Sequence, residues 1–223
     1  MQDKKLFFKR LAMTVSGVVV CAVAVSMFNM AAFGVDPFQC FAQGLHIPFA
    51  GVASYGTVYA ILSAVMLAAV FFLDKHYIGL ATVINMFGYG YIVDFAYGIL
   101  NGWFPEPTMT VRVVMILLAI VILCIGSALY FTGDLGVSVY DAIALSLSDK
   151  KLKAFGRVVP FKFMRVFCDM ICVVIGTLLG KMPGVGTIIT AFFMGPLIDF
   201  FNVHLARPLL YGKKKPECEP ARE

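Results

Sequence analysis

The chain has 223 residues, of which 61% are hydrophobic and 14% charged, and its mean hydropathy is +0.89. A soluble domain of this length needs a charged shell over most of its surface, and the few charged residues here are crowded into short stretches. The composition therefore excludes a disordered chain, a secreted domain and a cytosolic protein, and it indicates a chain whose solvent is mostly lipid.

Six apolar runs are long enough to cross a bilayer, since a spanning helix needs about 20 apolar residues. Two of the connections between them, 34–54 and 132–162, carry shorter apolar pieces that fit either an interfacial helix or a re-entrant hairpin. The chain is predicted to be an all-α polytopic bundle of six transmembrane helices, at 11–33, 55–73, 78–100, 111–131, 163–180 and 185–205.

The basic residues predict the orientation in the membrane. With the N-terminus in the cytoplasm, every lysine and arginine except Arg112 and Lys181, which makes 16 of the 18, falls in a cytoplasmic segment. Cytoplasmic loops carry such an excess. Both termini are therefore predicted to be cytoplasmic.

An internal repeat divides the chain. Residues 79–95 match residues 184–200 at seven of 17 positions, 105 residues apart, and Gly34-Val-Asp-Pro-Phe-Gln weakly echoes Gly136-Val-Ser-Val-Tyr-Asp, 102 residues apart. Three spans in each half make the second copy inverted relative to the first, as in many secondary transporters. The predicted organisation is one membrane domain with repeats 1–105 and 106–210, followed by a cytoplasmic tail, 211–223.

Carboxylates inside membrane segments are costly, which makes them candidate functional groups. The helical period places Asp94 on one face with Phe87 and Gly90, and the matching stripe around Asp199 is expected to face it across the pseudo-axis. Local capping or pairing near an interface is the alternative. The candidates for a substrate or ion path are Asp36, Asp94, Asp141 and Asp199, helped by Thr82, Asn85, Thr187 and Thr190.

Glycine and proline mark the places where spanning helices are expected to break. These are Gly88 and Gly90 in the third span and Gly195-Pro196 in the sixth, because proline removes a backbone donor. Asp36, with Pro37 after it, and Ser138 fit the N-caps of short helices. Arg165 and Asp169, one turn apart in the fifth span, are expected to neutralise each other.

No constellation of catalytic, metal-binding or cofactor-binding residues emerges. The six cysteines form no Cys-x-x-Cys pair, the three histidines are isolated, and no phosphate-binding loop is present. We therefore expect no enzyme, no metal site, no cofactor and no nucleic-acid partner.

Three motifs carry a resemblance to a known family. They are Gly34-Val-Asp-Pro-Phe, Leu73-Asp-Lys-His-Tyr-Ile-Gly-Leu-Ala-Thr, and Gly184-Val-Gly-Thr-Ile-Ile followed by Gly195-Pro-Leu-Ile-Asp-Phe. With them the chain resembles the YczE/YyaS/YitT family of bacterial membrane proteins over nearly all of residues 6–210. The resemblance implies a multi-pass protein of the bacterial cytoplasmic membrane and supplies no substrate. Tyr140-Asp141 standing opposite Phe38-Gln39 shows that the halves have diverged in polarity.

These features predict a small secondary transporter or permease for a small polar solute or ion. One alternative is a binding subunit that passes substrate to an ATPase partner, and another is a scaffold or regulator without transport. The lipid bilayer is the one partner that the composition requires, and a homodimer or a partner subunit stays open.

Overall fold

The computed structural model describes residues 2–53, 55–73, 79–149 and 161–211, and all secondary structure in these ranges is helical. A 3₁₀ turn, Ile47–Phe49, follows the second helix, and a π-helical turn, Asn202–Ala206, joins the last two. The helices are α1 Gln2–Ala31, α2 Pro37–His46, α3 Tyr55–Leu73, α4 Leu80–Trp103, α5 Met109–Gly133, α6 Val139–Asp149, α7 Phe161–Leu178, α8 Val185–Phe201 and α9 Arg207–Tyr211.

Five helical stretches in the described part are long and apolar enough to cross a membrane: α1, α3, α4, α5 and the continuous stretch Val185–Tyr211. Each coincides with a predicted span. The remaining predicted span, 163–180, corresponds to α7, which is less apolar because Lys162, Arg165 and Asp169 lie within its 18 residues. Both shorter apolar pieces form helices, α2 and α6. The motif residues 74–78 and most of the tail lie outside the described residues.

Helices α1 and α5 pack against each other and run antiparallel. Arg10, near the start of α1, reaches Asp134, just past the end of α5, and Cys21 in the middle of α1 donates to the Leu123 carbonyl. Their backbones approach closely, because a Cβ added to Gly17 would lie 2.7 Å from the Gly126 oxygen. Small residues permit this approach between membrane helices.

The ends of the bundle can be placed from α1. Its residues from Arg10 to Ala31 rise about 30 Å at 1.5 Å per residue, close to the hydrocarbon thickness of a bilayer. We call the two levels the Arg10 end and the Ala31 end. Lys9 donates to the Leu210 carbonyl (2.8 Å) and Arg10 to the Tyr211 hydroxyl (3.2 Å), so α9 finishes at the Arg10 end, where α1 begins.

The segment after α1 packs on the start of α8. Gly34 has a left-handed φ of +111°, and a Cβ there would lie 2.7 Å from the Gly184 Cα. The Phe33 carbonyl accepts a hydrogen bond from the Gly186 N–H at 2.9 Å. Helix α8 therefore begins at the Ala31 end.

An equivalent contact joins the segment after α5 to the start of α4. Gly136 has a φ of +98°, and a Cβ there would lie 2.7 Å from the Gly79 Cα. The Thr82 hydroxyl donates to the Val137 carbonyl at 2.8 Å. Helix α4 therefore begins at the Arg10 end, and each half of the chain supports the first turn of a helix from the other half.

The structure corrects the predicted helix breaks. Helix α4 continues through Gly88 and Gly90, and α8 continues through Gly195 and Pro196. The irregularity lies further along, in the π-helical turn that starts at Asn202. Asn202 donates to the Thr132 hydroxyl of α5 there (3.2 Å), so the widened turn directs a polar side chain toward a neighbouring helix.

Candidate functional site: a central polar cavity

A cavity of about 60 Å³ lies in the middle of the bundle and is lined by both halves of the chain. Fourteen of its 15 lining residues are buried, Ser138 being half-buried. We call it the central cavity. The first half contributes Cys21, Asp36, Phe38, Gln39, Tyr59, Asn85 and Tyr89, and the second contributes Leu123, Ser127, Tyr130, Ser138, Tyr140, Asp141, Arg165 and Met194.

The lining repeats at the offsets seen in the sequence. Four pairs stand 102 positions apart, and a fifth, Tyr89 with Met194, stands 105 apart. The four are Cys21 with Leu123, Asp36 with Ser138, Phe38 with Tyr140, and Gln39 with Asp141. Ten of the 15 lining residues thus fall into five pairs at the offsets of the predicted repeat.

The starts of α2 and α6 deliver the polar groups to the cavity. Asp36 is the N-cap of α2 and accepts a hydrogen bond from the Gln39 N–H at 3.2 Å, with Pro37 in the first turn. Ser138 directly precedes α6 and accepts from the Asp141 N–H at 3.1 Å. Both predicted N-caps are confirmed. At the start of α2 the cap is itself a carboxylate, Asp36, and at the start of α6 the cap Ser138 bonds to the residue that carries one, Asp141.

A charged network fills one side of the cavity. The Arg165 guanidinium pairs with Asp141 and, at 3.4 Å, with Asp169, which confirms the predicted Arg165–Asp169 pair. Tyr130 and Ser138 donate to Asp141, and Tyr140 donates to Asp169. A buried arginine is thereby surrounded by acceptors.

Aromatic rings form much of the remaining wall. Phe38 stacks on Tyr140 with ring centres 4.8 Å apart, and the Arg165 guanidinium lies 4.6 Å from the centre of the Tyr140 ring. Tyr59 stacks on Tyr89 at 6.2 Å. These rings exclude solvent, and Tyr89 also brings a hydroxyl group to the cavity.

Asp36 differs from the other buried carboxylates. Its side chain is 8% exposed, and no cationic side chain pairs with it in the described part of the chain. This carboxyl is therefore buried without a cation to pair with it.

Two polar side chains that α4 contributes to the lining have no hydrogen-bond partner among the described residues. They are Asn85, 6% exposed, and Tyr89, 7% exposed, one turn apart on α4. Buried polar groups are nearly always satisfied, so an amide and a hydroxyl left free at a cavity indicate an occupant.

A larger groove of about 470 Å³ lies beside the cavity near the Ala31 end, and we call it the lateral groove. Tyr55 lines it and donates a hydrogen bond to the Gln39 side chain, which lines the central cavity. This pair therefore stands between the two spaces. The other groove residues are Asn29, Gln43, His46, Ile47, Val93, Asp94, Tyr97 and Lys181.

The predicted site residues are distributed over three environments. Asp36, Asn85 and Asp141 line the central cavity, whereas Asp94 lies in the lateral groove and Asp199 is exposed. The expectation that the two aspartate stripes face each other is corrected, because Phe87 is 61% and Phe192 50% exposed. Helices α4 and α8 are apolar on every face, so their sequences carry little information about which face turns inward.

The three threonines are buried at helix starts and are engaged with backbone. Thr82 and Thr187 accept from the N–H groups of Gly79 and Gly184, and Thr190 donates to the Gly186 carbonyl at 2.9 Å. They support the two reciprocal contacts between the halves.

Sequence reasoning missed the pair between Arg165 and Asp141. The sequence predicts a pair between Arg165 and its helical neighbour Asp169, whereas the contact of Arg165 with α6 depends on tertiary packing. The available signal was the cost of a buried guanidinium, which one carboxylate in the same helix offsets incompletely. Among the described residues, no group of three His, Cys, Asp or Glu side chains is arranged to hold a metal ion.

Comparison with known proteins places the chain in a family. A family model, "Family of unknown function (DUF6198)", matches residues 8–203. The chain belongs to this family. No curated protein and no solved structure matches it significantly.

Proposed function

We propose that this DUF6198 chain is a small secondary transporter that carries a small polar solute or ion through the central cavity, between two halves arranged as an inverted repeat. The observation that carries the proposal is the lining itself, in which five residue pairs recur at offsets of 102 and 105. Inverted repeats in transporters place the substrate site at the interface between the copies, near the membrane midplane.

The direction of the helices supports the inverted relation. Equivalent helices of an inverted repeat run in opposite directions. Helices α1 and α5 do so, because the start of α1 contacts the end of α5 through Arg10 and Asp134, and their middles meet at Cys21 and Leu123. Backbone details repeat with the sequence as well: Ala32 and Asp134 both have left-handed φ values, 55° and 53°, and stand 102 positions apart.

Six crossings are supported by where each helix begins. Gly133 lies against the Arg10 carbonyl, with an added Cβ 3.1 Å away, while α8 begins at the opposite end, beside Gly34. The chain between Gly133 and Gly184 must therefore cross the bundle. Two described helices, α6 and α7, lie in that stretch, and the longer one, α7, has contacts that run from Asp141 at the cavity to Cys40 of α2, against which Gly176 packs.

The same geometry supports cytoplasmic termini. The starts of α1 and α4 and the end of α9 lie at the Arg10 end, on the side where the positive-inside rule puts the cytoplasm. Lys181, one of the two basic residues expected outside, lines the lateral groove at the Ala31 end. On this orientation the groove opens toward the outside of a bacterial cytoplasmic membrane, the location implied by the YczE/YyaS/YitT resemblance.

A route into the cavity follows from the Tyr55–Gln39 hydrogen bond. Tyr55 reaches from the lateral groove to Gln39 and closes the cavity on that side. Opening this pair would join the groove to Asp36 without unfolding a helix. Loop and gate motions of this kind occur on microsecond to millisecond timescales.

Flux through the purified chain tests the proposal. The chain alone is reconstituted into liposomes, and gradient-driven uptake is measured over a panel of labelled small ions and polar solutes. We expect uptake of one class by the wild type and a loss of at least tenfold in Ser127→Val, which fills the cavity. Ser16→Val, a matched change on an exposed position of α1, is expected to transport normally.

Two outcomes would contradict the proposal. Absence of flux together with co-purification of an ATPase would favour a binding subunit. Absence of flux would favour a scaffold if cells that carry Ser127→Val also behave like cells that carry the wild-type chain.

A further inference from the structure

The central cavity carries an excess of negative charge. Three described carboxylates, Asp36, Asp141 and Asp169, lie at or next to it against the single guanidinium of Arg165. The N-termini of α2 and α6 face the cavity and contribute about half a positive charge each. About one negative charge remains, and an uncompensated buried charge is strongly unfavourable.

The remaining charge lies on Asp36. Asp141 is committed to Arg165, Tyr130 and Ser138, and Asp169 to Arg165 and Tyr140. No ion pair in the described ranges includes Asp36, which lines the cavity. Asp36 is thus the carboxylate that can bind a ligand without breaking an existing pair.

Neutral oxygen ligands accompany Asp36. The Asn85 amide and the Tyr89 hydroxyl line the same cavity, and both lack hydrogen-bond partners in the described part of the chain. Water in the 60 Å³ cavity would satisfy both groups. Water leaves the negative charge uncompensated, however, whereas a cation both balances the charge and accepts the two neutral oxygens as ligands.

The ligand set selects among cations. Calcium takes six to eight oxygen ligands and commonly more than one carboxylate, and magnesium demands near-ideal octahedral geometry that several waters usually complete. One free carboxylate with two neutral oxygens matches a single positive charge of small radius. Bulky organic cations exceed the volume.

We propose that the central cavity binds a small monovalent cation, an alkali ion or a small protonated amine, with Asp36 as its charged ligand and Asn85 and Tyr89 as neutral ligands. The inference rests on the proposed function, since it names what the same cavity takes. The cation is either the transported species or the coupling ion that balances the cavity during transport.

Thermal unfolding of the detergent-purified full chain tests this proposal. The midpoint is measured at pH 8 against increasing NaCl, KCl, NH4Cl or methylammonium chloride, with N-methyl-D-glucamine chloride holding the ionic strength constant. A ligand that binds the folded state raises the midpoint by mass action. We expect at least one of the four cations to raise it saturably.

The variants assign the ligands. Asp36→Asn should weaken the apparent affinity at least tenfold while still folding, because asparagine is an equally good N-cap. Asn85→Ala should weaken it about threefold or more. Glu106→Gln, an exposed change in the α4–α5 loop, should bind as the wild type does.

The proposal is overturned if N-methyl-D-glucamine can replace all four cations, or if Asp36→Asn keeps the wild-type affinity. A midpoint that responds to pH and to no cation would assign the balancing charge to a proton and also overturn it. These binding results are independent of flux. A chain that binds the cation without transporting it would refute the proposed function and leave this inference standing.

Discussion

At the scale of single residues, Arg165 holds the charged side of the cavity together. Its guanidinium is 5% exposed and pairs with two carboxylates that are themselves buried. The desolvation of these three groups is offset only while all of them are present. Removing one of the three charged side chains therefore leaves a buried charge without a partner of opposite sign.

We predict that Arg165→Leu destabilises the fold by about 3–5 kcal/mol, because two carboxylates lose their cation. Asp141→Asn should cost less in the Arg165→Leu background than in the wild type, with a coupling of about 0.5–3 kcal/mol. Thermal or denaturant unfolding in detergent measures both. Additive effects of the two substitutions would show that the pair does not contribute as a unit.

The Tyr55 hydroxyl gives a second prediction at this scale. Tyr55→Phe removes the hydrogen bond to Gln39 and should increase, at least severalfold, the rate at which a small impermeant thiol reagent modifies Cys21 in the cavity. The measurement uses a chain whose other five cysteines are alanine. Tyr97→Phe, in the same groove, is the matched control, and equal rates in the two variants would argue against a gate at Tyr55.

At the scale of helices, four glycines permit the reciprocal contacts between the halves. Gly34 and Gly136 have left-handed φ values, and the backbone of each lies against the N-cap residue of a helix from the other half, at Gly184 and Gly79. Gly90, on the same helix as Gly79, has no atom within 4 Å of an added Cβ. Gly79 is therefore needed for a close backbone contact, whereas Gly90 is not.

We predict that Gly184→Ala destabilises the bundle by about 1–3 kcal/mol, because its methyl group would collide with the Phe33 carbonyl, which cannot move freely. Gly79→Ala should act similarly against Leu135. Gly90→Ala should be neutral or slightly stabilising in the helix. The unfolding midpoints of the three variants test this prediction. A Gly184→Ala protein with the wild-type midpoint would contradict the described contact.

The helices could be predicted from sequence because lipid demands long apolar segments. The predicted start and end of α3 agree with the structure, and the others differ by a few residues, except for α1, which extends nine residues further toward the N-terminus. The helix caps at Asp36 and Ser138 were also predictable, since local side-chain chemistry sets them. The inward face of α4 and α8 was not, because a helix that is apolar all round gives no directional signal.

At the scale of the whole molecule, the sequence repeat and the cavity lining carry the same periodicity. The strong echo in residues 79–95 and 184–200 marks the helix starts held by Gly79 and Gly184, while the weak echo supplies the lining pairs. Polarity has diverged between equivalent positions: Asp36 stands against Ser138, and Gln39 against Asp141. Each half therefore contributes one carboxylate to the lining at a different step of the same motif, so the charges of the lining do not follow the repeat.

The central claim is that the halves are inverted copies around this cavity. Ala50→Cys and Ala154→Cys each introduce a single cysteine, at sequence positions shortly after α2 and α6. An impermeant maleimide applied to intact cells reports which side of the membrane each cysteine occupies. The inverted arrangement predicts labelling at position 50 from outside and at position 154 only after the cells are opened. Labelling of both positions from the same side would contradict the inverted repeat and the transport proposal built on it.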